Sequence, residues 1–130
     1  MIYSLLVLSS PSSGQTARSA ALFAKALIER GHTLHRVFFL DEGVHAGSNN
    51  QVLPQDENNS MELWVALKEQ HNADLVLCVS SALKRGLLDS SEAQRHEKES
   101  STTHPAFVIS GLGQLVDASA TSDRVVTFGG

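Results

Sequence analysis

The stretch IYSLLVLSSPSSGQTARSAALFAKALIERG, residues 2–31, decides the fold class. IYSLLVL (2–8) is apolar nearly throughout, the pattern of a strand covered on both faces. SSPSSGQT (9–16) is a cluster of turn residues. From Thr16 onward, Ala17, Ala20, Ala21, Ala24, Leu27 and Ile28 recur at helical spacing, and Gly31 marks the stop. Strand, polar turn and helix in that order form the first part of a parallel βαβ unit.

The rest of the chain repeats the theme. TLHRVFFL (33–40) reads as a second strand, and DEGVHAGSNNQVLPQDENNS (41–60) as one long polar loop. Ser60 is the expected cap of a helix MELWVALKEQH (61–71), whose Met61, Trp64 and Val65 share a face and read as core. DLVLCV (74–79) is the third strand, followed by a short helix ending at Gly86, for which Ser80 or Ser81 is the expected cap. Asp89 and Glu92 form a capping-box pattern for SSEAQRHEKE (90–99). PAFVIS (105–110), a helix over about 113–119 and RVVTF (124–128) complete the series.

Five strands alternating with helices, without internal repeats, imply a single α/β domain over 1–130. The expected architecture is a three-layer sandwich with a flavodoxin-like five-stranded parallel sheet in the order 2-1-3-4-5. Ligands of such sheets gather beyond the carboxyl ends of the strands. In that order the first and third strands are neighbours, so the SSPSSGQT loop and Cys78 should lie close together.

Composition narrows the function classes. Ten basic against fourteen acidic residues give a net charge of −4, which argues against gripping a nucleic-acid backbone. Aromatics are only 5% of the chain, so a cofactor stacked between rings is not expected. No apolar run approaches the ~20 residues of a membrane span. The start MIYSLLVLSSPSSGQ lacks the positive region of a signal peptide, so a cytoplasmic location is expected. One cysteine permits neither an internal disulfide nor a CxxC pair nor a multi-cysteine zinc site.

That cysteine, Cys78, admits two readings. A lone Cys in an apolar strand is ordinarily a small core residue. Its place near the strand's carboxyl end, before a helix whose free N–H groups point back at it, is instead a setting that favours a reactive thiolate. Lys84 and Arg85 add positive charge nearby or are simply solvated. A single nucleophilic thiol suits acyl attack or the acceptance and hand-over of sulfur as a persulfide. None of the six histidines falls in a hydrolase motif around it.

Other signals are weaker. SSGQT (12–16) is reminiscent of the phosphate loop of flavodoxins and keeps an FMN-binding alternative open, although any parallel α/β domain needs such a turn. GLG (111–113) lacks the third glycine of a dinucleotide fingerprint, and no GxxxxGK[ST] occurs. His32 and His35, three apart on a strand, make a poor metal pair. SSEAQRHEKESSTTH (90–104), with Ala93 as its one apolar anchor, is either a solvated helix or a surface covered by a partner.

Five stretches together carry a resemblance: FAKALIERGH (23–32), VFFLDEGV (37–44), LCVSSALKRGLLD (77–89), ISGLGQLVDAS (109–119) and DRVVTFG (123–129). In their order and spacing they resemble the DsrE/TusD family of small sulfur-relay subunits, over essentially the whole chain. The resemblance implies a sulfurtransferase of DsrE-like fold with no cofactor or metal, in which Cys78 carries a persulfide. It implies work beside homologous TusB- and TusC-like subunits in a heterohexamer, an upstream persulfide donor and a TusE-like acceptor, without stable tRNA binding by this chain. In the TusD branch the sulfur goes to 2-thiolation of the tRNA wobble uridine, and in the DsrE branch to dissimilatory sulfur oxidation. A noncatalytic scaffold subunit of the same assembly is the remaining alternative within the family.

Overall fold

The computed structural model describes residues 1–54 and 59–129. Its strands are β1 (Ile2–Val7), β2 (Thr33–Phe39), β3 (Leu75–Cys78), β4 (Val108–Ser110) and β5 (Arg124–Phe128). All pairings are parallel, and the order across the sheet is β4-β3-β2-β1-β5. Helices α1 (Thr16–Glu29), α2 (Ser60–His71), α3 (Val79–Lys84), α4 (Ser90–Arg95) and α5 (Gly113–Thr121) fill the connections.

The five parallel strands and the alternation with helices are as expected. The order 2-1-3-4-5 is not: β1 keeps β2 on one side, but β5, rather than β3, lies on the other, and β3 pairs with β2 instead. Each of the first three crossovers steps one strand in the same direction, and the last returns across the sheet to β5. Right-handed crossovers place helices on opposite faces when the direction reverses. Tyr3 meets Phe23 of α1 and Phe39 meets Trp64 of α2, so those helices share one face. Ser4 Oγ lies 2.7 Å from Ser122 Oγ and Arg36 donates to the Gln114 carbonyl, so α5 covers the other.

The strand register sorts the core. Leu5, Val37 and Leu75 are successive partners facing α1 and α2, with Phe39 and Leu77 one layer above. Leu6, Phe38 and Val76 align on the α5 side, and alternation carries Cys78 onto that same side. Trp64 is fully buried between Phe39 and its own helix, as its core reading required. On the α5 side an ion-pair group holds the layers together. Arg36 donates to Asp74 at 2.7 Å and to Asp117 at 2.9 Å, and His35 Nε2 lies 3.1 Å from Asp117. Burial would lower the Arg36 pKa, but its two carboxylate partners raise it overall.

Several local expectations change. The segment read as a long loop begins with a 3-10 helix, Asp41–Gly47, whose Gly43, Val44, Ala46 and Gly47 are buried. Burial of these small residues against the sheet outweighs their turn-like composition. Gly43 is there for a steric reason, because a Cβ would overlap the Val7 carbonyl. Residues 55–58 of that expected loop lie outside the described residues. Asn59, not Ser60, caps α2, its side chain accepting the Met61 N–H at 2.9 Å. Asp89 caps α4 through the Glu92 N–H as expected, but α4 stops at Arg95 instead of running to 99. The single alanine of that segment, Ala93, anchors only that short turn of helix.

Candidate active site

β3 is four residues long and every one is buried. It turns directly into α3 with no intervening loop, so Cys78 is both the last residue of the strand and the N-cap of the helix. The cap expected at Ser80 or Ser81 therefore falls two or three residues earlier, and those serines occupy the second and third helical positions. The reason is the chain's compactness here, since an apolar run through Val79 lets the helix begin without a polar spacer.

An N-cap side chain faces the free N–H groups of the second and third helical residues. The sulfur closes no cap hydrogen bond with the helix N–H groups, and the side-chain group within hydrogen-bonding reach of it is the Ser80 hydroxyl. Burial pushes the Cys78 thiol up; the Ser80 hydroxyl, the Ser81 N–H, the Ser81 hydroxyl and the Ser80 N–H pull it down and prevail, leaving it below its ordinary value. The Ser80 hydroxyl is 3.5 Å from the sulfur. Ser80 is exposed while Cys78 is 1% exposed, so the thiol is roofed with a polar group at its open side.

Neighbouring charges are organised rather than merely nearby. Arg85 donates to Glu42 at 2.9 Å and to the Ser81 carbonyl at 3.1 Å, which ties α3 to the 3-10 helix. Its hydrogen bond holds the Glu42 carboxyl below the usual range, with His45 Nε2 3.3 Å from the same carboxylate adding to the effect. Asp41, in the left-handed region at φ 52°, donates its N–H to Ser81 Oγ at 3.0 Å. Lys84 is exposed at the far end of α3. The positive charge expected from Arg85 is thus spent on Glu42, and hydroxyls and backbone dipoles polarise the sulfur instead.

The SSPSSGQT loop does not join this group. With β2 between β1 and β3, the two carboxyl ends are two strand spacings apart, about 9–10 Å. In the loop, Ser10 Oγ bonds Ser12 Oγ at 2.9 Å, and Gln15 supplies no side-chain cap to α1. His32 lies at the amino terminus of β2 beside Met1 and Tyr3, whereas His35 turns to Asp117. Among the described residues no group of three or more His, Cys, Asp or Glu side chains is gathered as a metal site. The residues missed by sequence reading are Asp41, Glu42 and the buried role of Ser81. Their partners lie some forty residues away along the chain, and no local motif marks them.

Comparison with known proteins places this arrangement in context. The profile described as the DsrE/DsrF-like family matches residues 1–128. The chain is 43% identical to DsrE of Allochromatium vinosum over 129 residues, covering 99% of each chain. It is 44% identical over 124 residues to the sulfurtransferase TusD homolog of Vibrio cholerae, covering 95% of each. The crystal structure of the ychN protein from E. coli superposes with a TM-score of 0.79 at 22% identity, covering 98% of this chain and 99% of that one, and so shares the fold.

Proposed function

The chain belongs to the DsrE/DsrF-like family, and from that premise we propose that it is a sulfur-relay subunit whose Cys78 carries sulfur as a persulfide. Its TusD-named relatives are sulfurtransferases, and so is this chain. The observation that carries the Cys78 assignment is the sole cysteine of the sequence standing at once at a strand end and at a helix N-cap, with the Ser80 hydroxyl 3.5 Å from its sulfur.

The chemistry balances without an outside oxidant. The Cys78 thiolate attacks the outer sulfur of an incoming persulfide; a new S–S bond forms, the donor's S–S bond breaks, and the electron pair leaves on the donor thiolate. Hand-over repeats the step in reverse sense: an acceptor thiolate takes the outer sulfur and Cys78 leaves as thiolate. A lowered thiol pKa raises the thiolate population for the first step and makes Cys78 a better leaving group in the second.

The delivered sulfur, on this reading, serves 2-thiolation of the tRNA wobble uridine in concert with TusB- and TusC-like subunits and a TusE-like acceptor. Exposed apolar side chains on the α5 side, Val108 at 48%, Leu112 at 54% and Val116 at 69%, support association with other subunits. No helix among the described residues is long and apolar enough to cross a membrane. The 43% identity to DsrE supports a second reading, service in sulfur oxidation, at nearly the same level.

The deciding experiment loads the protein with radiolabelled sulfur from a cysteine desulfurase and relay donor. Wild type is expected to become labelled and Cys78→Ser to remain unlabelled; equal labelling of both overturns the assignment. Tracing the label into tRNA in the presence of the companion proteins separates the two branches.

A further inference from the structure

We propose that Ser80 is the positioning residue for sulfur transfer at Cys78: its hydroxyl covers the solvent side of the sulfur in the resting protein and vacates that place for the sulfur being carried. Three observations converge on this. Cys78 is 1% exposed while Ser80 beside it is exposed, so the way from solvent to the sulfur passes the Ser80 side chain. The Ser80 Oγ lies 3.5 Å from the Cys78 Sγ. Among the described residues that sulfur is the one hydrogen-bond partner of the Ser80 hydroxyl, whereas the neighbouring Ser81 hydroxyl is held by the Asp41 N–H at 3.0 Å. Ser80 is thus free to turn about χ1 where Ser81 is not, and exposed side chains turn quickly.

Bond length explains why the place must be vacated. A persulfide carries its second sulfur about 2 Å from the first. Directed along the line from Sγ to Oγ, that outer sulfur would lie about 1.5 Å from the Ser80 oxygen, far inside any non-bonded contact. The remaining surroundings of Cys78 are buried, and an outer sulfur turned into them could not meet an acceptor. The covalent step is the one given above: an S–S bond forms at Cys78 as the donor's S–S bond breaks, and the electron pair leaves on the donor thiolate. Ser80 clears the approach and afterwards returns.

Toward the thiolate left after hand-over, the returning hydroxyl is the donor, because that sulfur has no proton to give. The direction of the thiol's titration agrees: burial raises it, and the Ser80 hydroxyl is foremost among the groups that lower it and prevail. The charged groups on the surrounding elements are engaged elsewhere. Glu42 and His45 pair with each other and Glu42 with Arg85, Arg36 pairs with Asp74 and Asp117, and Lys84 is exposed. The seat for the outer sulfur rests on the persulfide reading, whereas the cover over the thiol does not.

The test is the pH profile of Cys78 alkylation by iodoacetamide, whose midpoint reports the thiolate and whose plateau reports access to the sulfur. Ser80→Ala removes both donor and cover. Its midpoint should rise by about half a pH unit, water replacing part of an exposed donor, and its plateau should rise several-fold. Ser80→Val also lacks the donor, but its two methyl groups fill the χ1 positions open to a helical side chain and cannot clear the sulfur. Its midpoint should rise likewise while its plateau falls several-fold. Ser80→Thr restores a hydroxyl on an equally stiff side chain, so the midpoint should return to the wild-type value and the plateau stay low. Loading with radiolabelled sulfur should rank the variants as the plateaus do. Four superposing profiles, or a Ser80→Val plateau at or above wild type, overturn the proposal, whatever the urea midpoints of the variants. Wild type that takes up no labelled sulfur, with profiles that separate as expected, removes the carrier reading and leaves Ser80 in place over the thiol.

Discussion

Two strand-to-helix turns at the same end of the sheet are built in contrasting ways. After β1 the chain spends eight residues, mostly serine and glycine, before α1 begins. After β3 it spends none, and Cys78 is strand and cap at once. The β1 turn lies next to β5, where the direction of strand progression reverses, which is the place that general rules for open α/β sheets assign to ligands. Yet two of its hydroxyls, those of Ser10 and Ser12, bond to each other. The β3 turn lies away from that reversal and holds the one cysteine. A loop offers many adjustable donors, whereas a turn without a loop brings a single side chain into a fixed relation with the helix dipole and two N–H groups. Persulfide chemistry at one sulfur suits the second arrangement.

The contrast can be broken most sharply by removing one member from each turn. Cys78→Ser should abolish sulfur loading, while Ser13→Ala in the exposed β1 turn should leave it within experimental error and change stability by no more than about 0.5 kcal/mol. Comparable loss from the loop variant would mean that the β1 turn takes part in transfer.

A second substitution tests whether the two turns are mechanically linked. Gly43 lies against the Val7 carbonyl at the end of β1, and its 3-10 helix also carries Asp41, which engages Ser81. Gly43→Ala should therefore cost about 1–3 kcal/mol in urea denaturation through overpacking. It should also speed alkylation of Cys78, by displacing Asp41 from Ser81 and loosening α3. Destabilisation with an unchanged thiol would show that the linkage stops at the 3-10 helix.

The smallest effect concerns the Arg85–Glu42 clamp. The Glu42 carboxyl is held below its ordinary value of 4.5, first by its hydrogen bond to Arg85. A carboxylate with a depressed folded pKa contributes fully above its ordinary value, and that contribution fades as pH falls through the depressed one. Acidification below 4.5 should thus lower the urea midpoint slightly as α3 loosens from the 3-10 helix. Glu42→Gln should flatten that pH response. An identical acid response in the variant would place the titrating group elsewhere.

Much of this architecture was legible before any coordinates. RVVTF matches β5 residue for residue, and the apolar runs at 2–8, 33–40 and 74–79 locate β1, β2 and β3 to within one or two residues. Strand order was not legible, because alternation determines that strands are parallel but not which pairs will hydrogen-bond. The 3-10 helix at Asp41–Gly47 was hidden by its glycines and charges, since what stabilises it is burial against β1 and β3. Cys78 stood out as the sole thiol at a strand end, but its balance between core and nucleophile depended on where the following helix began.

By itself, then, the sequence determined the α/β alternation, the single thiol and its place at the end of the third strand, because these follow from local periodicity and residue chemistry. Only the tertiary structure decided what surrounds that thiol. The Asp41 N–H reaches Ser81 and Glu42 braces Arg85 across some forty residues of chain, and such hydrogen bonds exist only once the sheet has brought β2 and β3 side by side.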